Sequence, residues 1–296
     1  MVRAALAGAA AAALVLAGGV PAGALAPPAG PRGTAVSGAP PAAVCSYPDE
    51  DLPVVVPGDL HAVGLCRLNY AVVLGDVHVA PGTHLSLWFG RVAGDVHVGR
   101  AGRLSLYRQD VAGGLQLDGA EAVWITGSTV GRSVRGKVAA LELEMARVSG
   151  AVNVAAPEAA TTTGTKVFAS EIGGWVNLHG GVQRIGRSTL HRGLTMSWAR
   201  DLALCETSVA ADVTVRHTRG PAHVGGRFAP VWSVCEPGTD DLRNGLGSAL
   251  LLLDNRATVR LDGTDVAGDL ECLGGSAPPQ VAADVTVGGA RVGQCA

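Results

Sequence analysis

The chain is poor in aromatic residues, in lysine and in charge. Phe, Trp and Tyr make up 4% of its 296 residues, charged side chains 16%, and the formal net charge is -2. Lysine occurs only at Lys137 and Lys166. A nucleic-acid partner calls for a basic stripe, and none is visible. No C-x-x-C pair occurs and the six cysteines are widely spaced, so the sequence has no zinc-ligand pattern. Neither G-x-S-x-G nor the phosphate-cradling G-x-x-x-x-G-K-[ST] is found, and nothing implies a cofactor. Arginine as almost the sole cation, with abundant Ala, Gly and Val, suggests a GC-rich bacterial genome and says nothing about mechanism.

The first 26 residues read as a signal peptide. Arg3 supplies the positive start, Ala4 to Gly18 the apolar stretch, and Ala24-Leu25-Ala26 a small-x-small cleavage site. The apolar stretch is short for a bilayer span of about 20 residues, so no stable membrane insertion is expected after cleavage. Cys45 follows Val44 and not a small residue, which gives no sign of a lipid anchor. Residues 27–44 are a Pro/Ala/Gly-rich tether expected to be disordered. A secreted, extracellular or cell-wall location makes disulfides the natural use of Cys45, Cys66, Cys205, Cys235, Cys272 and Cys295. Six cysteines can pair in 15 ways. By position, Cys45 and Cys66 flank the start of the first coil, Cys205 and Cys235 bracket the start of an irregular insertion, and Cys272 and Cys295 enclose the tail.

What the chain has in quantity is repetition. Gly75-Asp76-Val77-His78-Val79 returns 19 residues later as Gly94-Asp95-Val96-His97-Val98, then as Gly113-Gly114-Leu115-Gln116-Leu117, and the phase reaches Gly268-Asp269-Leu270-Glu271-Cys272. The full unit reads L-x-L, four spacers, V-x-G-D-V-x-V and a turn. Leu85/Leu87, Leu104/Leu106, Val123/Ile125, Leu141/Leu143, Leu202/Leu204 and Val259/Leu261 form the first pair. Alternation puts each pair on one side of a strand and the residues between on the other. Three short runs per period, broken at Pro81-Gly82, Ala101-Gly102 or Asp118-Gly119, predict three-sided coils that bury their inner faces by stacking. The fold expected for residues 45–296 is therefore all-β: a single-stranded parallel β-helix, or β-solenoid, with disulfide-stabilised ends. Helix is excluded by the period of two and by 42 glycines spread along the chain. The helix-prone run Val138 to Arg147 falls in register with the L-x-L copies and is assigned to strand. Ala155 to Gly164 lengthens one turn by about five residues, and an irregular insertion is expected over residues 217–246.

Two outward patterns carry chemistry. Asp76, His78, Asp95 and His97 form a two-by-two patch, the neighbours about 5 to 7 Å apart. A carboxylate beside an imidazole is what general acid-base catalysis needs, and the same four could bind a divalent metal. Asp also suits the corner before a strand, and Asp212 and Asp269 recur there without His, which favours a conformational role and assigns no metal. On the L-x-L run, Trp88 and Tyr107 share an outward column, with Trp124 one column across. Such rings can stack on sugar or shield the strand face.

The repeated G-D-V-x-V and L-x-L units and the ending Gly293-Gln294-Cys295 resemble a group of exported actinobacterial proteins to which no activity is assigned. Those proteins carry G-N-V-x-V-like repeats and a similar two-Cys end, and the resemblance covers most of residues 58–296. It implies the fold of right-handed parallel β-helices. Within that architecture pectate-lyase-type enzymes imply polysaccharide cleavage, but their catalytic motif has no counterpart here. Bactofilins imply end-to-end polymerisation, but they are cytoplasmic and lack the leader and cysteines. The expectation is an exported structural or cell-envelope interaction protein that binds polysaccharide along one face through Trp88, Tyr107 and Trp124. The rival is a polysaccharide lyase or glycoside hydrolase using Asp76, His78, Asp95 and His97.

Overall fold

In the computed structural model, residues 43–45, 54–157, 163–225 and 243–296 are described. All belong to one compact unit, Ala39–Ala296. Residues 1–26, expected to be a signal peptide, nearly all of the expected tether, most of the insertion and Cys235 lie outside the described residues.

Every described strand pairs in parallel with the equivalent strand one coil away, and no helix occurs among the described residues. Each coil has three faces. The first face carries the G-D-V-x-V strands, such as Val77–Val79 and Val96–Val98. The second carries the L-x-L strands, such as His84–Trp88 and Arg103–Tyr107. The third consists of short strands such as Arg91–Val92 and Asp110–Val111, twelve of which form one sheet. Leu115–Thr126 and Val134–Glu144 run unbroken from first face to second, so those two faces join as one sheet. The bend in Leu115–Thr126 is a register shift between Asp118 and Ala120, made at Gly119 with φ 69°.

The columns follow the repeat. Val77 pairs with Val96, Val96 with Leu115 and Leu115 with Val134, and all four are buried. Leu85, Leu104, Val123 and Leu141 form an equally buried column on the second face. Each such side chain contributes about 1.5 to 3 kcal/mol when fully removed from water, which makes the interior columns the main stabilising feature. Leu141 pairs with Thr165 at 24 residues, the normal period plus the five-residue lengthening after Ala155.

Two boundaries move. Ala43–Cys45, partly assigned to the tether, is a strand that pairs with Leu60–Ala62. The insertion is narrower than residues 217–246: Ala222–Val224 stacks on Leu202 and Leu204, and Leu246 sits on Val209. Pro221 and Gly225 flank a regular strand here, and its inward pair begins with Ala, whose small side chain hides it in the sequence.

The second-face column also admits polar residues. Thr165 and Gln183 occupy inward positions, Gln183 with no exposure. Its Nε2 donates to the carbonyls of Gly180 at 3.0 Å and Ser197 at 2.8 Å. Where the second face turns into the third, buried hydroxyls climb the interior. Ser128 Oγ accepts from Gln109 N–H, Ser170 Oγ from Ala146 N–H and Ser188 Oγ from Ser170 N–H. These bonds satisfy corner amides that the flat ladders cannot reach.

Cys45 pairs with Cys66 and Cys272 with Cys295. Both bridges lie near the ends of the stack, where they tie terminal strands to coils within. Cys205 is also disulfide-bonded, at the last residue of Asp201–Cys205.

Candidate functional site

On the first face the four residues of the Asp/His patch occupy neighbouring coils, but their chemistry is divided. Asp59 Oδ1 accepts from Asp76 N–H at 2.8 Å, Asp76 Oδ1 from Asp95 N–H at 2.7 Å, and Asp95 Oδ1 from Gly114 N–H at 2.7 Å. Asp212 does the same for Ala249, and Asp269 for Ala290. Each carboxylate thus caps the corner amide of the next coil, a charge-assisted bond to a group the ladder leaves unpaired. That need applies at corners with or without a histidine, which is why Asp212 and Asp269 share it.

The imidazoles find each other instead. His78 stacks on His97 with ring centroids 5.0 Å apart and on His61 at 4.8 Å. Among the described residues no hydrogen bond joins Asp76 or Asp95 to either ring. A shallow trench of about 310 Å³ runs beside the stack, with Gln116 and Asp118 at its far end. His61 escaped the sequence reading because its copy, Gly58-Asp59-Leu60-His61-Ala62, stands 17 residues before the next and not 19. Among the described residues, no three His, Cys, Asp or Glu side chains are grouped to hold a metal ion.

The second face holds the other candidate. Trp88 and Tyr107 are paired by the strand register, with ring centroids 5.3 Å apart. Trp124 lies in the next coil, between Ser105 and Glu142 in register, and makes no ring contact among the described residues. The pair is enlarged by residues the sequence did not single out. Phe89 packs edge-on against Tyr107 at 5.3 Å, and Tyr70 stacks on Phe89 at 5.4 Å. The Arg108 guanidinium sits 5.5 Å from the Tyr107 ring and 5.8 Å from that of Phe89.

Tyr70, Phe89 and Arg108 share a backbone feature, with φ of 52°, 56° and 48°. The left-handed region costs about 1 to 2 kcal/mol for a residue with a Cβ. Met145, Ala169, Arg187 and Glu206 hold the same corner in later coils, and Gly127 takes it once. The amides of Tyr70, Phe89, Arg108, Gly127, Met145, Ala169 and Arg187 all donate to the next coil from this corner, as Phe89 N–H does to the Tyr107 carbonyl at 3.0 Å. The side chains then project outward as a stacked column, and at the first two coils that column is aromatic. Tyr70 remains 53% exposed and Trp88 40%. The cluster is a fixed apolar platform with a phenol at two points and a guanidinium at its edge.

Compared with known proteins, the chain matches no family model, no curated sequence and no solved structure.

Proposed function

We propose that the protein is an exported, non-catalytic module that holds polysaccharide against its second face. Trp88 and Tyr107 would stack on the apolar faces of sugar rings, supported by Tyr70, Phe89 and Arg108. The observation that carries this reading is the ring cluster: five interlocked side chains, part exposed, on a backbone held by ladders on both sides. Rigid aromatic side chains lose little entropy on binding, and their amphipathic rings meet a sugar's apolar face and its hydroxyls together. A solenoid offers such platforms along an extended surface. The disulfides and the leader-like first 26 residues favour an exported protein of the cell envelope, in keeping with the resemblance to exported actinobacterial chains.

A lyase or hydrolase built on Asp76, His78, Asp95 and His97 is the alternative that the test must separate. One oxygen of each carboxylate is already committed to a backbone amide, and neither orients an imidazole. Retention on a panel of immobilised cell-wall polysaccharides, with a parallel assay for new chain ends, distinguishes the two. For the Trp88→Ala/Tyr107→Ala double variant we expect retention to fall about tenfold to hundredfold, or roughly 1.4 to 2.8 kcal/mol. His78→Ala/His97→Ala should bind as the parent does. New chain ends that disappear in the histidine variant, or retention unaffected by loss of the two rings, would overturn the proposal.

A further inference from the structure

The carboxylates that cap the corner between the third and first faces do not run the length of the stack. Between Asp95 and Asp212 the corner column reads Gly114, Ser133, Ala151, Trp175, Gly193, so five successive coils carry no acid there. In the same interval the residue just before the corner, a glycine at Gly94, Gly113, Gly150 and Gly174, becomes Arg132 and then Arg192. Both arginines are exposed, and among the described residues neither guanidinium has a hydrogen-bond or ion-pair partner. Where the corner loses its acids it gains free cations.

At Gly114 the missing side chain leaves a hollow of about 250 Å³, lined in part by Arg132, Ser133 and Arg135. Arg132 and Arg135 are the cations of that lining and Asp95 is its one acid, so positive charge is in excess. Asp95 Oδ1 already accepts from Gly114 N–H at 2.7 Å. Arg135 Nη2 donates to Gln116 Oε1 at 3.1 Å, a neutral partner that leaves the guanidinium charge uncancelled. Ser133 Oγ accepts from Ala151 N–H at 3.1 Å, which leaves its own hydroxyl proton to donate outward. On the third-face side, Glu171 is paired with both Arg147 and His191. The hollow is smaller than a drug-sized pocket and suits one acidic group with the hydroxyl beside it.

Two coils beyond Ser133, Trp175 takes the same column. Its ring lies over Gly193, where a Cβ would fall 2.1 Å from Trp175 Cζ3. The small neighbours Ala151 and Gly193 give the indole room, and it stays 48% exposed. Cation, ring and cation thus follow one line: Arg132, Trp175 two coils on and Arg192 in the third, about 14 Å in all at about 4.8 Å per coil. An acidic peptide would satisfy the guanidiniums but brings no flat apolar face to the indole. A pyranose ring that bears a carboxylate brings both.

We infer that this corner binds an acidic polysaccharide, a chain of pyranose rings bearing carboxylates, laid along the stack axis. One carboxylate meets Arg132 in the hollow with a ring hydroxyl on Ser133 Oγ, a later ring stacks on Trp175, and a second carboxylate meets Arg192. The site lies on a different edge of the coil from Trp88 and Tyr107 and does not depend on them.

The test is calorimetric titration of the full chain with oligogalacturonate and oligomannuronate. Their methyl esters serve as uncharged counterparts and polyglutamate as a polyanion without rings. We expect saturable binding of at least one oligouronate, weakened by added salt, and binding of its ester about tenfold weaker or less. Arg132→Ala/Arg192→Ala should weaken the oligouronate about tenfold or more, and Trp175→Ala about threefold to tenfold. Ser133→Asp separates charge from structure. It restores the cap that Asp212 gives Ala249, so unfolding in urea should match the parent, while the carboxylate beside Arg132 should weaken binding about tenfold. Trp88→Ala/Tyr107→Ala should bind the oligouronate as the parent does. No binding of either oligouronate would overturn the inference, as would equal binding of the esters or unchanged binding by a folded Ser133→Asp. Polyglutamate bound as tightly, with Trp175→Ala without effect, would make the corner an acidic-peptide site and overturn it too. Oligouronate binding lost only in Trp88→Ala/Tyr107→Ala would remove this site and leave the aromatic platform standing.

Discussion

At the scale of single residues, the repeated aspartate shows how a side chain that looks catalytic can be architectural. Asp76 and Asp95 stand beside histidines in the sequence, yet their oxygens cap amides one coil away. Their recurrence at Asp212 and Asp269 without His made the corner role legible, because only the backbone need is common to all of them. The difference is measurable. Asp95→Asn keeps a side-chain oxygen that can accept from Gly114 N–H and should unfold in urea close to the parent. Asp95→Ala leaves that amide without its acceptor and should cost about 1 to 3 kcal/mol. A catalytic or metal-binding Asp would reverse the emphasis, with Asn abolishing an activity that stability does not track. Other residues were hidden for plain reasons. His61 was out of phase by two, and Tyr70, Phe89 and Arg108 sit at a left-handed corner whose usual markers, Gly and Asn, are absent there. The pairing of His223 with Asp262, 39 residues apart, spans a segment where the repeat is not visible.

At the scale of the coil, the apolar columns were legible because the spacing is regular and the inward residues are aliphatic. Val77, Val96 and Leu115 are adjacent as read, and the helix-prone run after Val138 is strand. The pattern faded where the interior admits polar groups. Thr165 and Gln183 take inward places between Leu141 and Leu202, and hydrogen bonds within the stack replace the contacts an aliphatic would make. The insertion misled for a related reason, since Ala222 and Asn244 break the aliphatic rule while their strands keep register. A coil is therefore a unit that can be removed whole. Deleting residues 96–114 joins Asp95 to Leu115 and preserves every column. That variant should keep the parent's β-type circular dichroism and a cooperative melt. Deleting residues 96–105 instead sets a second-face segment against a first-face column and should abolish folding. Equal behaviour of the two variants would contradict the stacking scheme.

At the scale of the molecule, the same design leaves function to the surface. The interior is nearly uniform from coil to coil, whereas the outer columns change character along the stack. The first face begins with stacked imidazoles and continues with Gln116, Arg135, Asn153 and Asn177, where Arg135 bonds Gln116 and Asn177 bonds Asn153. Those side chains satisfy one another and form self-contained ladders. The second face offers an apolar ring platform near one end and a hollow near the other. The sequence marked Trp88 and Tyr107 as surface aromatics; their depth of burial and their partners depend on corner geometry that no spacing rule encodes. The most direct measurement of the central claim is a chemical-shift map of the labelled protein with a soluble fragment of a polysaccharide that it retains. The account predicts perturbations at the Trp88 indole and around Tyr107 on the second face, with His61, His78 and His97 unmoved. Shifts concentrated on the three imidazoles, with the second face silent, would contradict it.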